Sequence, residues 1–191
     1  MIDHRDIERF FRKSIETKEE LISQPDIIGS IADLALAALE TVKSGHKVIF
    51  CGNGGSFADA QHLATEFISR FMIDRMPLPA LALGTNSSNL SAIANDYGYE
   101  QVFARELSVM GHKDDLFIPI STSGRSPSVL EAVRVSQKMG IRCVALTGSS
   151  QSPLSTLCTC IQVPSDVTAH IQECHITIGH FICKFVEENY F

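Results

Sequence analysis

The stretch "KVIFCGNGGSFADAQHLATEF" (47–67) joins a short apolar run to a glycine-rich bend and then to a helical pattern. A short buried strand that leads directly into a helix is the repeating unit of a parallel α/β sheet. In the bend, "GNGGS" (52–56) predicts a tight turn, with Ser56 as the cap of the next helix. In that helix, His62 and Glu66 share a face because successive residues turn by about 100°. The stretch therefore predicts a strand, a turn suited to an anion, and a polar pair behind it.

Four more short apolar runs alternate with helical patterns along the chain. The five predicted strands are 47–52, 78–84, 115–121, 141–148 and 159–165. The predicted helices are 3–22, 26–43, 57–70, 88–94, 99–110, 127–139 and 168–190, the first two being separated at Pro25. We therefore predict one α/β domain over residues 1–191, a three-layer sandwich around a five-stranded parallel sheet. Residues 1–45 would form an N-terminal helical pair that contributes to oligomer contacts.

The net charge and the cysteines indicate which kinds of binding partner the protein has. The formal net charge is −6 and no Lys/Arg cluster offsets it, so nucleic acid is not a predicted partner. A small anion remains compatible, because backbone amides can hold it. The six cysteines have neither zinc-finger nor redox spacing, and most lie in apolar runs. Reduced cysteines, together with the lack of a signal core or a bilayer-spanning run, predict a cytoplasmic protein without membrane contact.

A second loop, "STSGRS" (121–126), follows the third predicted strand, and ligands of such sheets bind at the carboxyl ends of strands. Gly124 lets the backbone turn its amides inward, and Ser126 would cap a helix that begins at Pro127. Exposed amides and the helix dipole attract a phosphate. A plain capping loop is the alternative, because the same residue types make ordinary turns. Neither loop has a P-loop lysine or the G-x-G-x-x-G spacing, so a nucleotide is not favoured.

The last predicted helix carries Gln172 and His180, eight residues apart and therefore on adjoining faces. A single histidine on an apolar helix is more often a satisfied polar residue than a ligand. An i,i+4 pair such as His62 and Glu66 also decorates many helices. Spacing alone therefore leaves both a structural and a functional role open for these four side chains.

Four segments together resemble a known family: "GNGGSFADAQH" (52–62), "AIANDYGYEQVF" (92–103), "ISTSGRSPSVLEAV" (120–133) and "HIQECHITIGH" (170–180). The first and third are similar to the sugar isomerase (SIS) domain, whose members bind phosphosugars through a serine-rich loop. With the other two, nearly the whole chain resembles the phosphoheptose isomerases of that superfamily. These bacterial enzymes convert sedoheptulose 7-phosphate to D-glycero-D-manno-heptose 7-phosphate, a precursor for lipopolysaccharide or capsule. The resemblance implies a SIS fold, which is flavodoxin-like, and a homotetramer with active sites near subunit interfaces.

The resemblance also implies which residues act on the sugar. Glu66 and His180 match the acid/base pair of the family, which moves a proton between C1 and C2 through an enediol(ate). The family's zinc ligands match His62, Glu66, Gln172 and His180, and a mixed nitrogen and oxygen set suits Zn²⁺. The substrate contacts match Asn53, Gly54, Gly55, Ser56, Glu66, Asn95, Asp96, Ser121, Thr122, Ser123, Ser126 and Gln172. Arg70 is a further candidate for a phosphate or hydroxyl contact.

The chain departs from the family pattern at three positions. Ala169 and His170 stand where many members have an aspartate and an arginine, and Arg125 stands where asparagine is common. Since that aspartate is thought to contact substrate, its loss leaves the exact sugar open. Asp59 and His175 are interpreted as structural residues, with exposure or a subunit contact as an equal alternative for His175 and Glu173.

Two other functions remain open at this stage. One is a non-catalytic SIS-domain tetramer that binds the replication initiator protein, a branch that resembles this chain in the "AIANDYGYE" and "IQE" segments. That branch lacks the counterparts of Glu66 and His180, both of which are present here. The other is a phosphosugar-sensing module.

Overall fold

Five parallel strands form the central sheet of the computed structural model, which describes residues 3–191. The strands are β1 (Val48–Cys51), β2 (Ala80–Ala82), β3 (Leu116–Ser121), β4 (Arg142–Gly148) and β5 (Thr159–Val163). Their spatial order is β2-β1-β3-β4-β5, and each neighbouring pair is parallel. Every residue of β1 and β3 is buried, which explains why these strands read as unbroken apolar runs. The predicted five-stranded parallel sheet is confirmed, with narrower strand bounds.

Helices cover both faces of this sheet. They are α1 (His4–Ile22), α2 (Pro25–Lys43), α3 (Gly55–Ile68), α4 (Ser87–Tyr97), a 3₁₀-helix (Tyr99–Gln101), α5 (Val102–Met110), α6 (Pro127–Met139), α7 (Pro153–Leu157) and α8 (Thr168–Tyr190). Side chains of α2, α3 and α8 form one core with Phe50 and Ile118 of the sheet. Side chains of α4 to α7 form the other core with Ile49 and Phe117. The predicted three-layer sandwich with an N-terminal helical pair is confirmed.

The differences from the predicted helices have local causes. Pro25 is the first residue of α2 instead of part of the break, because its fixed φ suits a first helical turn. The helix α4 continues to Tyr97, where Gly98 with φ of 91° ends it. The short helix α7 was not predicted. It begins at a proline, and Ser152 and Ser155 form a reciprocal capping box around its first turn.

The order of the strands locates the ligand-binding edge. From β1 the chain moves outward to β2, and it then returns to place β3, β4 and β5 on the other side. This reversal makes the gap between β1 and β3 a topological switch point, where open α/β sheets bind ligands. The loops after β1 and β3 are the two that the sequence singles out. Both therefore open onto the same crevice.

The N-terminal part of α1 carries several exposed apolar side chains. Ile7, Phe10, Phe11 and Ile15 are between 48 % and 63 % exposed, while Leu21 is the apolar residue that this helix buries. Among the described residues, no single helix has the length and apolar composition to cross a membrane. Only α1 and α2 taken together would meet that test, as a pair bent by 81°.

Candidate active site

The turn between β1 and α3 is shaped by its glycines. Gly54 has φ of 55°, a conformation that side chains disfavour, and it is the N-cap residue of α3. Ser56 lies inside the first turn and is buried, so the prediction that Ser56 caps the helix is wrong. The cap position falls two residues earlier because the backbone already turns at Gly54. A glycine has no side chain to occupy the first amides of the helix, which leaves them available to a ligand.

The serine loop, residues 121–126, is held open by a second positive-φ glycine. Gly124 has φ of 60°, and a Cβ there would collide with Oγ of Ser152. The loop is fastened to the sheet, since the N–H of Gly148 donates to the carbonyl of Thr122 at 3.0 Å. Ser126 occupies the N-cap position of α6, as predicted, but its hydroxyl contacts other side chains instead of a helix amide. The first turn of α6 is therefore also uncapped by a side chain.

Asn53 joins the two loops. Its Nδ2 donates to Oγ of Ser126 at 2.7 Å and to Oγ of Ser128 at 3.0 Å. Its Oδ1 accepts a hydrogen bond from the hydroxyl of Tyr99 at 2.8 Å. Sequence reasoning missed both Ser128 and Tyr99. They lie inside the motifs quoted above, but only the fold shows that they contact Asn53.

A cluster of titratable side chains lies on the facing surfaces of α3 and α8. Nε2 of His62 lies 2.9 Å from Nε2 of His180 and 3.1 Å from Oε1 of Glu66. The ring of Phe71 stacks on the His180 imidazole with a centroid distance of 5.4 Å. Burial, and secondarily the nearby His62, lower the pKa of His180, against the opposing effect of Glu66. A neutral imidazole is the form that accepts a proton or binds a metal.

This cluster has the donor set of a metal site. Among residues 3–191, His62, Glu66 and His180 are the group of three His, Cys, Asp or Glu side chains whose ligand atoms lie within 4.8 Å of one another. Two imidazole nitrogens and a carboxylate oxygen suit Zn²⁺. The amide of the fourth predicted ligand, Gln172, lies against Gly55, where an added Cβ would be 2.5 Å from its Nε2. The side chains present therefore fit a zinc ion.

The other predicted substrate contacts differ in their exposure and partners. Gly54, Gly55 and Ser123 are exposed at the crevice, whereas Ser121 is buried and Thr122 is partly buried. Asn95 and Asp96 are exposed and paired with each other, Nδ2 donating to Oδ1 at 2.8 Å. Arg70 is exposed just beyond the end of α3. The structure thus brings Asn53 and Ser126 into direct contact and leaves Asn95, Asp96 and Arg70 facing outward.

The three positions that depart from the family pattern have different surroundings. Ala169 is exposed, and His170 is buried edge-on against Phe10 at a centroid distance of 5.6 Å. Nη2 of Arg125 donates to the carbonyl of Gln151 at 3.0 Å, which ties the serine loop to the start of α7. The substitutions at 125 and 170 therefore serve contacts within the chain.

Asp59, interpreted from the sequence as a structural residue, lies close to the cluster on α3. It lies on α3 three residues before His62, and its Oδ2 is buried without a hydrogen-bond partner. Burial raises the pKa of Asp59 to about 6, although the nearby His62 lowers it in part. His175, in contrast, is fully buried and contacts the carbonyl of Thr147 at 3.2 Å, as a structural residue would.

Comparison with known proteins shows the family of the chain. A family model for the SIS domain matches residues 9–148. The chain is 47 % identical to a phosphoheptose isomerase of Aneurinibacillus thermoaerophilus over 186 residues, which covers 97 % of this chain and 94 % of the relative. It is similarly related, at 46 % identity, to phosphoheptose isomerase 2 of Campylobacter jejuni, with coverage of 97 % and 92 %. The solved phosphoheptose isomerase of Francisella tularensis superposes with a TM-score of 0.92 at 34 % identity, covering 99 % of this chain and 100 % of that one.

The chain therefore belongs to the SIS domain family. Within this family it groups with the phosphoheptose isomerases, and it is an isomerase. The initiator-binding and sensing alternatives lose their support, because the relatives that cover nearly the whole chain are named as enzymes.

Proposed function

We propose that the protein converts sedoheptulose 7-phosphate to D-glycero-D-manno-heptose 7-phosphate through an enediol(ate). The observation that carries this proposal is the placement of Glu66 beside His62 and His180, on helices that border the phosphate-suited crevice at the switch point. A carboxylate and an imidazole are the two groups that proton transfer between adjacent carbons requires. The names of the relatives support the sugar.

In this proposal the two loops hold the substrate. The hydroxyls of Ser121, Thr122, Ser123 and Ser126 and the first turn of α6 bind the phosphate, because no side chain caps the amides of that turn. Asn53, Gly54, Gly55 and Ser56 contact the sugar from the other loop, and Asn95, Asp96 and Gln172 contact its hydroxyls. Holding the phosphate at one end and the reacting carbons at the other orients C1 and C2 toward α3 and α8.

Proton transfer is assigned to two side chains. Glu66 removes the proton from one carbon and returns it to the next, and His180 moves protons on the adjacent oxygens. The lowered pKa of His180 keeps its imidazole neutral near pH 7, ready to accept. His62, Glu66, Gln172 and His180 would hold one zinc ion, which when bound polarises the oxygens at C1 and C2.

The proposal extends to the assembly and setting of the enzyme. We propose a cytoplasmic homotetramer in which residues 1–191 act as one SIS domain and residues 1–45 contribute subunit contacts. The exposed Ile7, Phe10, Phe11 and Ile15 of α1 support such contacts, because a subunit interface would cover apolar side chains that the single chain leaves exposed. The six free cysteines are compatible with a reducing compartment. The product would feed lipopolysaccharide or capsule precursors.

Incubation of the purified protein with sedoheptulose 7-phosphate tests the sugar. We expect NMR to show the resonances of D-glycero-D-manno-heptose 7-phosphate, whereas sedoheptulose without phosphate should turn over far more slowly. Failure to form any heptose 7-phosphate, with zinc supplied, would contradict the proposed substrate. Light scattering on the same preparation tests the assembly: a stable monomer at micromolar concentration would defeat the tetramer.

A further inference from the structure

A buried ion pair joins the loop of residues 69–79 to α8. Nε of Arg75 donates to Oε2 of Glu187 at 2.9 Å, and the two side chains are only 3 % and 2 % exposed. Taking two charges out of water is costly, so such a pair persists only where further hydrogen bonds satisfy both partners. Neither residue lies in the four sequence segments quoted above. The hydrogen bonds that satisfy Arg75 and Glu187 therefore indicate what the pair does.

Glu187 is satisfied by the backbone of the loop. It accepts hydrogen bonds from the N–H groups of Phe71 at 3.0 Å, Met72 at 2.7 Å and Ile73 at 3.0 Å. Burial alone would raise the pKa of Glu187, but these hydrogen bonds and Arg75 outweigh it and hold the pKa below its usual range. Glu187 is therefore a carboxylate that anchors three consecutive residues of the loop.

Arg75 is satisfied by the last turn of α3. Its Nη2 donates to the carbonyl of Glu66 at 2.7 Å, and its Nη1 donates to the carbonyl of Phe67 at 2.6 Å. Both carbonyls belong to the last turn of α3. The carbonyl of Phe67 also accepts a hydrogen bond from the N–H of Leu78 at 3.0 Å, whereas no further turn supplies an amide partner for the carbonyl of Glu66. The guanidinium thus caps α3 from outside and fixes the backbone of Glu66.

Phe71 carries the second connection. Its N–H is bound by Glu187, and its ring stacks on the His180 imidazole at 5.4 Å with an angle of 27° between the rings. A second aromatic neighbour of that imidazole is His62, whose ring meets it at 64° with a centroid distance of 5.1 Å. The orientation of His180 therefore depends on where Glu187 holds Phe71.

We propose that Arg75 and Glu187 are positioning residues for the Glu66–His180 pair. One buried pair reaches Glu66 through a carbonyl and His180 through the ring of Phe71, so it sets the distance between the two groups that exchange protons with the sugar. This inference rests on the proposed function for its kinetic consequence. A misplacement of about 1 Å at a reacting pair can cost on the order of 100-fold in rate.

The Arg75→Lys variant tests the first connection. A lysine keeps the charge beside Glu187 but cannot also donate to the carbonyls of Glu66 and Phe67. We expect kcat for sedoheptulose 7-phosphate to fall at least about tenfold while KM changes less than about twofold, because the phosphate is bound by another loop. We also expect the affinity for Zn²⁺, measured by competition with a chromogenic chelator, to fall about tenfold, as loss of support for ligating side chains typically causes.

Two further variants separate positioning from general stability. Val186→Ala opens a cavity in the core next to Glu187 without removing any of these hydrogen bonds, so it should lower the melting temperature but leave kcat and zinc affinity near wild type. Phe71→Leu keeps the backbone bond to Glu187 and removes the ring, so it should lower kcat even if Arg75→Lys does not fold.

Equal losses of kcat and zinc affinity in Val186→Ala and the other two variants, measured below all melting temperatures, would overturn the positioning role. So would unchanged values in Phe71→Leu and a folded Arg75→Lys. If the wild-type protein does not isomerise sedoheptulose 7-phosphate, the proposed function fails instead, and the zinc affinities still decide whether the pair positions Glu66 and His180.

Discussion

At the scale of single residues, Asn53 belongs to the part of the candidate site that would bind substrate, which is separate from the part that would transfer protons. Its amide bonds Ser126 and Ser128 on one side and Tyr99 on the other, so it holds the two ligand loops at a fixed distance. Of the hydroxyls proposed to bind phosphate, that of Ser126 belongs to this network. Glu66 and His180 belong to the separate cluster on α3 and α8. Changes in the first group should therefore alter binding, and changes in the second should alter the rate.

Replacing Ser126 or Ser121 with alanine tests the binding half of this division. Each change removes one donor to a charged phosphate, a loss of about 1.5–3 kcal/mol. We expect KM to rise about tenfold or more while kcat at saturation falls little. Ser136→Ala is the matched control. It removes a hydroxyl of α6 that donates to the carbonyl of Val133, away from the crevice. If neither Ser121→Ala nor Ser126→Ala changes KM, the phosphate binds elsewhere.

At the scale of elements, the contact between α3 and α8 brings the catalytic candidates together. Gly179 lies directly against Leu63, where an added Cβ would collide with both methyl groups of the leucine. Gly179 immediately precedes His180, and Leu63 immediately follows His62. The missing side chain at 179 thus lets the two helices approach closely enough for their imidazoles to meet.

The Gly179→Ala variant should separate these helices. Alanine would gain up to about 1 kcal/mol in helix propensity, but overpacking a close helix contact typically costs about 1–3 kcal/mol, so we expect a net loss of stability. Urea unfolding measures it. Gly29→Ala is the control, because nothing lies within 4 Å of a Cβ at that helical position and the variant should be neutral or slightly more stable. A stabilised Gly179→Ala protein would contradict the close contact.

The elements themselves were largely predictable from the sequence, for physical reasons. Buried parallel strands give unbroken apolar runs, and prolines and glycines mark the ends between them, so α6 and α8 begin and end where predicted. The cap at Ser56 was predicted wrongly because a positive φ at Gly54 cannot be read from the letters. The five-residue helix α7 is too short to show a periodic pattern.

The candidate site was less accessible to sequence reasoning than the fold. His62 and Glu66 are neighbours on one helix, so their spacing reveals them. Their approach to His180, and the contact of Tyr99 with Asn53, depend on how distant segments pack. Arg75 and Glu187 are 112 residues apart and belong to no local pattern, so only the folded chain shows their link to Glu66.

At the scale of the whole molecule, stability depends on a histidine that packs α8 against the sheet. His175 is fully buried, and its Nε2 meets the carbonyl of Thr147 on β4 at 3.2 Å. Burial lowers the pKa of His175 to about 4, despite the opposing hydrogen bond to Thr147. The unfolded chain keeps the ordinary histidine pKa. Between about pH 6.5 and pH 4, His175 is therefore protonated in the unfolded chain but neutral in the folded chain.

The free energy of unfolding should therefore fall as the pH is lowered from about 6.5 to about 4, and His175 contributes on the order of 3 kcal/mol to that fall. Asp59 acts with the opposite sign in part of this window, because its pKa is raised to about 6. Comparing the wild type with His175→Gln isolates the histidine, since glutamine can still donate to the Thr147 carbonyl. Urea unfolding at pH 7.5 and pH 5 should show a smaller difference for the variant. An equal pH dependence in both proteins would contradict the assignment.

The central claim is that Glu66 transfers the proton during isomerisation of a phosphorylated seven-carbon sugar. The most direct test follows sedoheptulose 7-phosphate by NMR in D₂O with the wild type and Glu66→Gln. The wild type should incorporate deuterium at C1 or C2, because the enediol(ate) exchanges its proton with solvent. Glutamine keeps the shape of the side chain but cannot accept a carbon-bound proton, so the rates of turnover and exchange should fall at least about 100-fold while the variant still folds and binds the sugar. Near-normal turnover and exchange in Glu66→Gln would contradict the account.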